Sequence, residues 1–168
     1  MDDPVLSRRS IRKYTDEPVG DDLVERLLRA AMAAPSAGNQ QPWRFVVLRD
    51  RDAMRAITDF HPYARMLPTA PVAVLVCGDP SGVKWPQMWE QDCAAATENL
   101  LIEAVQLGLG AVWLGIHPLA VRVDGIRGLL GIPDHVMPFA IVPVGWPAER
   151  KEPAADRYDE ARVHRDRW

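Results

Sequence analysis

The chain has 168 residues, 48% hydrophobic and 26% charged, which favours one compact domain over residues 1–168 with a substantial core. Its 20 basic and 23 acidic side chains give a net charge of -3, which argues against a dedicated nucleic-acid-binding protein, because such proteins are usually strongly basic. The N-terminus has no apolar signal region and no apolar run is long enough to span a bilayer, so we expect a cytoplasmic protein without membrane contact.

The first half of the chain predicts three helices and two strands. Apolar residues at helical spacing end at Pro35, and Asp50 is placed to cap a later helix. Short apolar runs bounded by turn residues are typical of buried strands. The predicted elements are helices over residues 5–9, 21–34 and 50–59, and strands over residues 45–48 and 72–77.

The second half opens with the longest helical pattern, over residues 87–107, which is apolar nearly all round. Such a helix must be covered nearly all round, and in a short chain part of the cover is expected from a second subunit. Beyond it we predict a strand over 111–115, a helix over 119–130 and a strand over 139–144. This irregular alternation, without a dinucleotide-binding signature, indicates an α+β fold.

Residues 146–168 form a polar tail that nevertheless contains Trp146, Tyr158 and Trp168. Spaced aromatic residues in an extended segment have little of their own to pack on. We therefore expect the tail to pack on a partner subunit. The two cysteines, Cys77 and Cys93, lie in apolar surroundings without metal-ligand spacing and are expected to be buried, reduced thiols.

A basic cluster, RRSIRK, occupies residues 8–13. Guanidinium groups bind phosphate in a bidentate way, and a serine hydroxyl adds a further donor. Arg8, Ser10 and Arg12 are two residues apart, so an extended segment would direct them to one side. Taken alone, the cluster is more typical of a solvated basic surface than of a phosphate site.

The segment APSAGNQQPW, residues 34–43, is a turn crowded with amide side chains between a helix and a strand. Asn39 and Gln41 each present donors and acceptors, which suits the edge of a heterocycle such as a flavin or a nucleobase. An ordinary turn with local side-chain hydrogen bonds is the alternative interpretation.

Two further segments carry candidate binding groups. The glycines of GLGAVWLG, residues 108–115, suggest a backbone that approaches a flat group, although a helix-to-strand turn explains them as well. In GWPAERK, residues 145–151, Arg150 and Lys151 can add charge to a phosphate site or belong to a solvated tail. Hydrolase, zinc-protease and nucleotide-loop motifs are missing from the sequence, and its four histidines lack metal-ligand spacing, so we expect no metal and a cofactor that carries the chemistry.

Together, in this order and at these intervals, RRSIRKY, APSAGNQQPW, GLGAVWLG and GWPAERK resemble the nitroreductase family of FMN-dependent oxidoreductases. The resemblance covers essentially the whole chain. It implies a central, mostly antiparallel sheet flanked by helices and an intertwined homodimer that exchanges its C-terminal tails. It also implies two FMN sites at the subunit interface, with NAD(P)H as a transient co-substrate.

Matched by motif, the resemblance implies a role for several residues. Leu114 and Gly115 look like the segment whose backbone N–H faces flavin N5, so that no side chain is implied as catalytic. The implied cofactor contacts are Arg8, Arg9, Ser10 and Arg12 for the phosphate and ribityl chain, Pro35, Ser36, Ala37 and Asn39 for the flavin and partly from the other subunit, and Lys151 and Arg150 for the phosphate.

The family varies between residues 60 and 88, where substrate-covering residues lie. Trp85, Met88 and Trp89 are candidates for the wall of an acceptor pocket. The resemblance implies ping-pong electron transfer from NAD(P)H to a small acceptor such as a nitroaromatic or a quinone. A non-catalytic flavin or nucleotide sensor remains an alternative, as do reductive dehalogenation and oxidative flavin breakdown.

Overall fold

The computed structural model describes residues 3–168, in which five α-helices and five strands follow one another in an irregular order. Asp3 caps the first helix and Asp50 caps the third, each by accepting hydrogen bonds from backbone amides. The elements are α1 (Pro4–Ser7), α2 (Asp21–Met32), β1 (Trp43–Leu48), α3 (Arg51–Phe60), β2 (Val72–Gly78), α4 (Trp89–Gln106), β3 (Gly110–Ala111), β4 (Leu114–Gly115), α5 (Ala120–Leu130) and β5 (Met137–Gly145).

All five strands belong to one antiparallel sheet in the order β1-β2-β5-β3, and β4 also pairs with β5. Every residue of β2 is buried, because helices cover both faces of the sheet. Val74 and Val76 point to the face covered by α2 and α4, whereas Leu75 and Cys77 point to the face covered by α3 and α5. The core therefore consists of two layers, which fits the predicted α+β class.

The predicted strand over residues 111–115 is instead two short strands, β3 and β4. Both pair with β5 in the same register, from Gly110 opposite Gly145 to Gly115 opposite Ala140. The break between them lies opposite Pro143, which has no amide hydrogen to donate to a neighbouring strand. The hydroxyl of Tyr14 lies 3.3 Å from the Pro143 carbonyl oxygen.

The long helix α4 begins at Trp89, two residues later than predicted, because residues 86–88 form a 3-10 turn. Its buried face includes Cys93, Ala96 and Leu100, while Ala95 and Ile102 are only half-buried. Both cysteines are free and buried, as predicted. Within residues 3–168, no helix combines the length and apolarity that crossing a bilayer requires.

The N-terminal segment and the start of the tail run side by side as an antiparallel ribbon. The Thr15 amide donates to the Trp146 carbonyl over 2.9 Å, and the Ala148 amide donates to the Lys13 carbonyl over 2.9 Å. The ribbon therefore joins parts of the chain that are more than 130 residues apart. Beyond it the tail is largely exposed.

Candidate cofactor site

The ribbon brings the two basic segments of the sequence together. Arg8, Ser10, Arg12 and Lys151 line a single cavity of about 730 Å³. Lys151 Nζ donates to the carbonyl of Ser10 over 2.6 Å, which fixes the tail against the N-terminal segment. Arg9 also lines this cavity, and one of its guanidinium nitrogens donates to the Glu152 carbonyl.

Two glutamates hold these cations in place. Glu98 on α4 lies 3.2 Å from Arg8, and Glu149 lies 3.3 Å from Lys151. Glu149 also accepts the Arg12 amide over 2.6 Å, and this bond, assisted by Lys151, lowers the pKa of Glu149. Sequence reasoning considered only the basic residues of GWPAERK and missed Glu149, although it lies in the same motif.

Arg12 differs from its neighbours in having an unsatisfied guanidinium group. Within residues 3–168, that group makes no hydrogen bond or ion pair, although it lines the cavity beside Ser10 and Lys151. Five donors without an acceptor are well suited to an anion such as a phosphate.

Two further cavities adjoin the basic cavity. A cavity of about 610 Å³ shares Arg12 and Lys151 with it and adds Arg65 and Met66. A cavity of about 750 Å³ shares Arg12, Arg65 and Met66 with the second. Because the three adjoin one another through these shared residues, we name them together the Arg8–Gly115 groove. Its far end is lined by Trp113, Leu114 and Gly115.

At that far end the backbone is open to the groove. A Cβ atom added to Gly115 would meet no atom within 4 Å, so a flat ligand can approach the β4 backbone closely. Beside it, Trp113 packs edge-on against Phe139, with 5.7 Å between ring centroids. A groove with cations at one end and open glycine backbone at the other fits FMN, which has an anionic phosphate and a flat ring.

Two donors that sequence reasoning did not select hold the carbonyl of Gly115. His61 Nε2 lies 3.0 Å from this oxygen, and Arg122 Nη1 donates to it over 2.8 Å. Burial, followed by the charge of Arg122, lowers the pKa of His61. His61 is the C-cap of α3, directly after Phe60, and only 1% of it is exposed.

The turn at residues 35–41 lies elsewhere on the protomer. The Ala37 amide and Gln40 Nε2 each donate to the buried carboxylate of Asp92 over 2.9 Å, which fastens the turn to the start of α4. Within residues 3–168, no residue of this turn lines the Arg8–Gly115 groove. The structure therefore does not bring Pro35, Ser36, Ala37, Asn39 and Gln41 to the other predicted contacts in one protomer.

The shape of this turn is unusual, because Asn39 and Gln41 have φ values of 56° and 49°. Non-glycine residues rarely adopt this left-handed conformation, and they persist there where surrounding bonds enforce it. Gln41 Nε2 donates to Asn39 Oδ1, and the Gln41 amide donates to Ser36 Oγ, both over 3.0 Å. The turn is therefore preformed, with exposed amide side chains.

Of the three candidates for the acceptor wall, Trp85 contacts that same turn. Trp85 is exposed and exchanges hydrogen bonds with Gln40, and Met88 is half-buried. Trp89 is buried and packs against His117 and Phe139, with ring centroids 4.9 and 5.8 Å away. Arg150 lines a separate cavity of about 190 Å³ and not the basic one.

The buried thiols offer no reactive group. Burial raises the pKa of Cys77 and of Cys93 to about 12, and Cys93 Sγ donates to the Cys77 carbonyl over 3.5 Å. A thiol with so high a pKa is a poor nucleophile at neutral pH. Both cysteines therefore serve the core.

Comparison with known proteins agrees with this geometry. The model of the nitroreductase family matches residues 5–62 and 60–146. A candidate NADH dehydrogenase/NAD(P)H nitroreductase of Archaeoglobus fulgidus is 46% identical over 98% of this chain and 96% of its own. The crystal structure of a candidate NADH oxidase from Clostridium acetobutylicum superposes with a TM-score of 0.94 at 44% identity, covering 99% of this chain and all of the other.

An FMN-dependent nitroreductase from Clostridium difficile R20291 has a TM-score of 0.91 at 26% identity, with 99% of each chain covered. The resemblance inferred from the four motifs is thereby confirmed, as is the predicted nitroreductase-like α+β fold. The chain belongs to the nitroreductase family.

Proposed function

We propose that this chain is an FMN-dependent oxidoreductase that passes electrons from NAD(P)H to a small acceptor such as a nitroaromatic or a quinone. The observation that carries the proposal is the Arg8–Gly115 groove, with its cations at one end and an open glycine backbone at the other. Relatives that are named as NAD(P)H nitroreductases or as FMN-dependent support it. Bound FMN would supply the electron-transfer chemistry.

In this proposal the protein binds FMN and orients its ring. Arg8, Ser10, Arg12 and Lys151 hold the phosphate, and the backbone of Leu114 and Gly115 faces the reacting edge of the ring. The guanidinium group of Arg65, which lines the Gly115 end of the groove, favours extra negative charge there, because a preorganised cation stabilises charge without reorganising.

One groove serves two substrates in turn. The nicotinamide occupies the open face first and leaves, and the acceptor then takes its place, which gives ping-pong kinetics. A nicotinamide that visits only briefly needs no dinucleotide-binding fold. The sequence contains no such fingerprint, which agrees with this order of events.

The proposal includes a homodimer in which residues 146–168 pack on the partner. Tyr158 and Trp168 are 67% and 100% exposed in the protomer, so both lack cover. The outer edge of β1 pairs with no strand within residues 3–168, and an apolar cavity of about 430 Å³ lies beside it between Met32, Phe45 and Val47. A dimer would also let Asn39 and Gln41 contact the flavin in the groove of the partner.

The test begins with the purified protein and added FMN. We expect a yellow complex that NADPH or NADH bleaches and that turns over with a quinone or a nitroaromatic. Arg12→Ala should weaken FMN binding about 10- to 100-fold, because hydrogen bonds to charged groups contribute roughly 1.5–3 kcal/mol. Arg55→Ala is the matched control, since Arg55 is exposed on α3 away from the groove.

The outcomes separate the alternatives. Protein that stays colourless with excess FMN contradicts the proposal, and unchanged affinity in Arg12→Ala removes Arg12 from the site. Uptake of FMN without turnover of NAD(P)H would favour the non-catalytic sensor. Release of halide from a halogenated aromatic, or loss of the flavin itself, would favour the corresponding side branch of the family.

A further inference from the structure

The carbonyl oxygen of Gly115 is held by side chains from two different helices. His61 follows α3 directly and approaches to 3.0 Å, while Arg122 lies in α5 and approaches to 2.8 Å. These helices pack against each other on one face of the sheet. Both lone pairs of the carbonyl are therefore occupied by donors from this helical layer, and both donor residues also line the Gly115 end of the groove.

The geometry also defines the state of the imidazole. Because a carbonyl only accepts, Nε2 of His61 must carry the hydrogen. Nδ1 is buried and has no hydrogen-bond partner within residues 3–168, so a second proton there would find no acceptor. His61 is therefore a neutral donor.

Tyr63 completes the arrangement on the groove side. Its ring lies 5.7 Å from the Arg122 guanidinium carbon and meets the His61 ring edge-on, with 6.5 Å between centroids. A guanidinium group that packs on an aromatic ring has fewer rotamers open to it. The stacking therefore keeps Arg122 directed at Gly115.

Gly115 needs such restraint more than its neighbours do. It has no side chain to pack, no atom lies near its Cβ position, and β4 is only two residues long. A glycine in a short edge strand loses much conformational freedom when it is ordered. The Ile116 amide of the same peptide donates to the Phe139 carbonyl over 3.0 Å, and the hydrogen bonds to the Gly115 carbonyl fix the opposite side of the peptide plane.

We propose that His61 and Arg122 are positioning residues that clamp the Gly115 carbonyl, so that the backbone facing the flavin edge is held in one orientation. The inference rests on the proposed function, which places the flavin edge at Gly115. His61 and Arg122 act through the peptide. Their hydrogen bonds would affect the rate of flavin reduction more strongly than they affect the affinity for FMN.

The experiment compares His61→Leu and Arg122→Met, which remove the donors, with His61→Gln and Arg122→Lys, which keep one. The matched control is Arg55→Met on the exposed face of α3. Hydrogen exchange at the Ile116 amide, whose peptide contains the Gly115 carbonyl, is measured in the protein without FMN. FMN affinity and the single-turnover rate of flavin reduction by NADPH are measured with it.

In each donor-deleting variant, we expect the Ile116 amide hydrogen to exchange about fivefold faster and the bound flavin to be reduced about fivefold more slowly. A factor of about five corresponds to the free energy of one hydrogen bond. FMN affinity should stay within about threefold, because the phosphate contacts are untouched. His61→Gln and Arg122→Lys should recover most of both losses. The double variant should lose less than the product of the single losses, because both donors act on one atom.

The inference would be overturned if both donor-deleting variants exchanged the Ile116 amide and reduced the flavin at the rates of Arg55→Met. The proposed function would remain intact in that case. A wild-type protein that binds no FMN would overturn the proposed function instead, and the exchange rates would still decide whether the clamp exists. If His61→Leu does not fold, Arg122→Met decides the matter, since Arg122 is only partly buried.

Discussion

Protonation of the His61 imidazole affects the stability of the fold. Burial and the Arg122 guanidinium lower the pKa of His61, while the Gly115 carbonyl and the Tyr63 ring are its other neighbours. In the unfolded chain the same imidazole titrates near 6.5. At a pH between these two pKa values, the His61 imidazole is protonated in the unfolded chain and neutral in the folded chain.

This difference predicts a pH-dependent loss of stability. The free energy of unfolding should decrease as the pH falls below about 6.5, and the His61 contribution should level off below the folded-state pKa. Urea denaturation at pH 7.5 and pH 5, compared between the wild-type protein and His61→Gln, measures it. His135→Gln is the control, because His135 is exposed. Equal pH dependence in the wild-type protein and His61→Gln would contradict the prediction.

At the scale of elements, Gly110 in β3 determines how closely the basic segment lies against the sheet. Ser10 bridges to Ala111, and the Ile11 amide donates to the Ala111 carbonyl over 3.0 Å. A Cβ atom at Gly110 would lie 2.6 Å from Cγ2 and 2.9 Å from Cβ of Ile11. Ile11 stands between Ser10 and Arg12, so a larger residue at Gly110 would displace the side chains that we propose bind the phosphate.

Gly110→Ala should therefore weaken FMN binding and lower stability by about 1–3 kcal/mol, the usual range for overpacking. Gly128→Ala is the matched control. Gly128 lies inside α5 with no atom near its Cβ position, and alanine there should add up to about 1 kcal/mol of stability. Fluorescence titration with FMN and thermal unfolding measure both effects. A Gly110→Ala protein with wild-type affinity would show that the segment adapts.

Local patterns predicted most elements within two residues, because helical periodicity, proline stops and aspartate caps act over short distances. The split between β3 and β4 was missed, because it depends on Pro143 in a strand that is distant in sequence. The two basic motifs predicted from the sequence do line one cavity, while their binding of a phosphate stays a prediction. The His61–Gly115–Arg122 contact was not, since only the packing of α3 against α5 creates it.

At the scale of the whole molecule, the tail is the part of the chain that the protomer leaves uncovered. Residues 153–168 contribute no buried side chain, so removing them should leave the protomer folded. Pro153–Arg157 nevertheless line the basic cavity. In the proposed dimer, the rest of the tail would be covered by the partner subunit.

A chain ending at residue 152 should keep its helical circular dichroism, dissociate to monomers in sedimentation velocity, and lose most of its FMN affinity. The control is Val121→Ala, which shortens an exposed apolar side chain outside both the tail and the groove. A truncated chain that remains a dimer of unchanged stability would show that subunit association depends on other surfaces.

The separation between the Arg8–Gly115 groove and the turn at residues 35–41 has a consequence for measurement in dilute solution. If the turn of one protomer completes the groove of another, prosthetic-group retention and subunit association are linked equilibria, and each strengthens the other by the same factor. Dilution alone would then dissociate the dimer and release FMN, and added FMN would shift monomers back to the dimer.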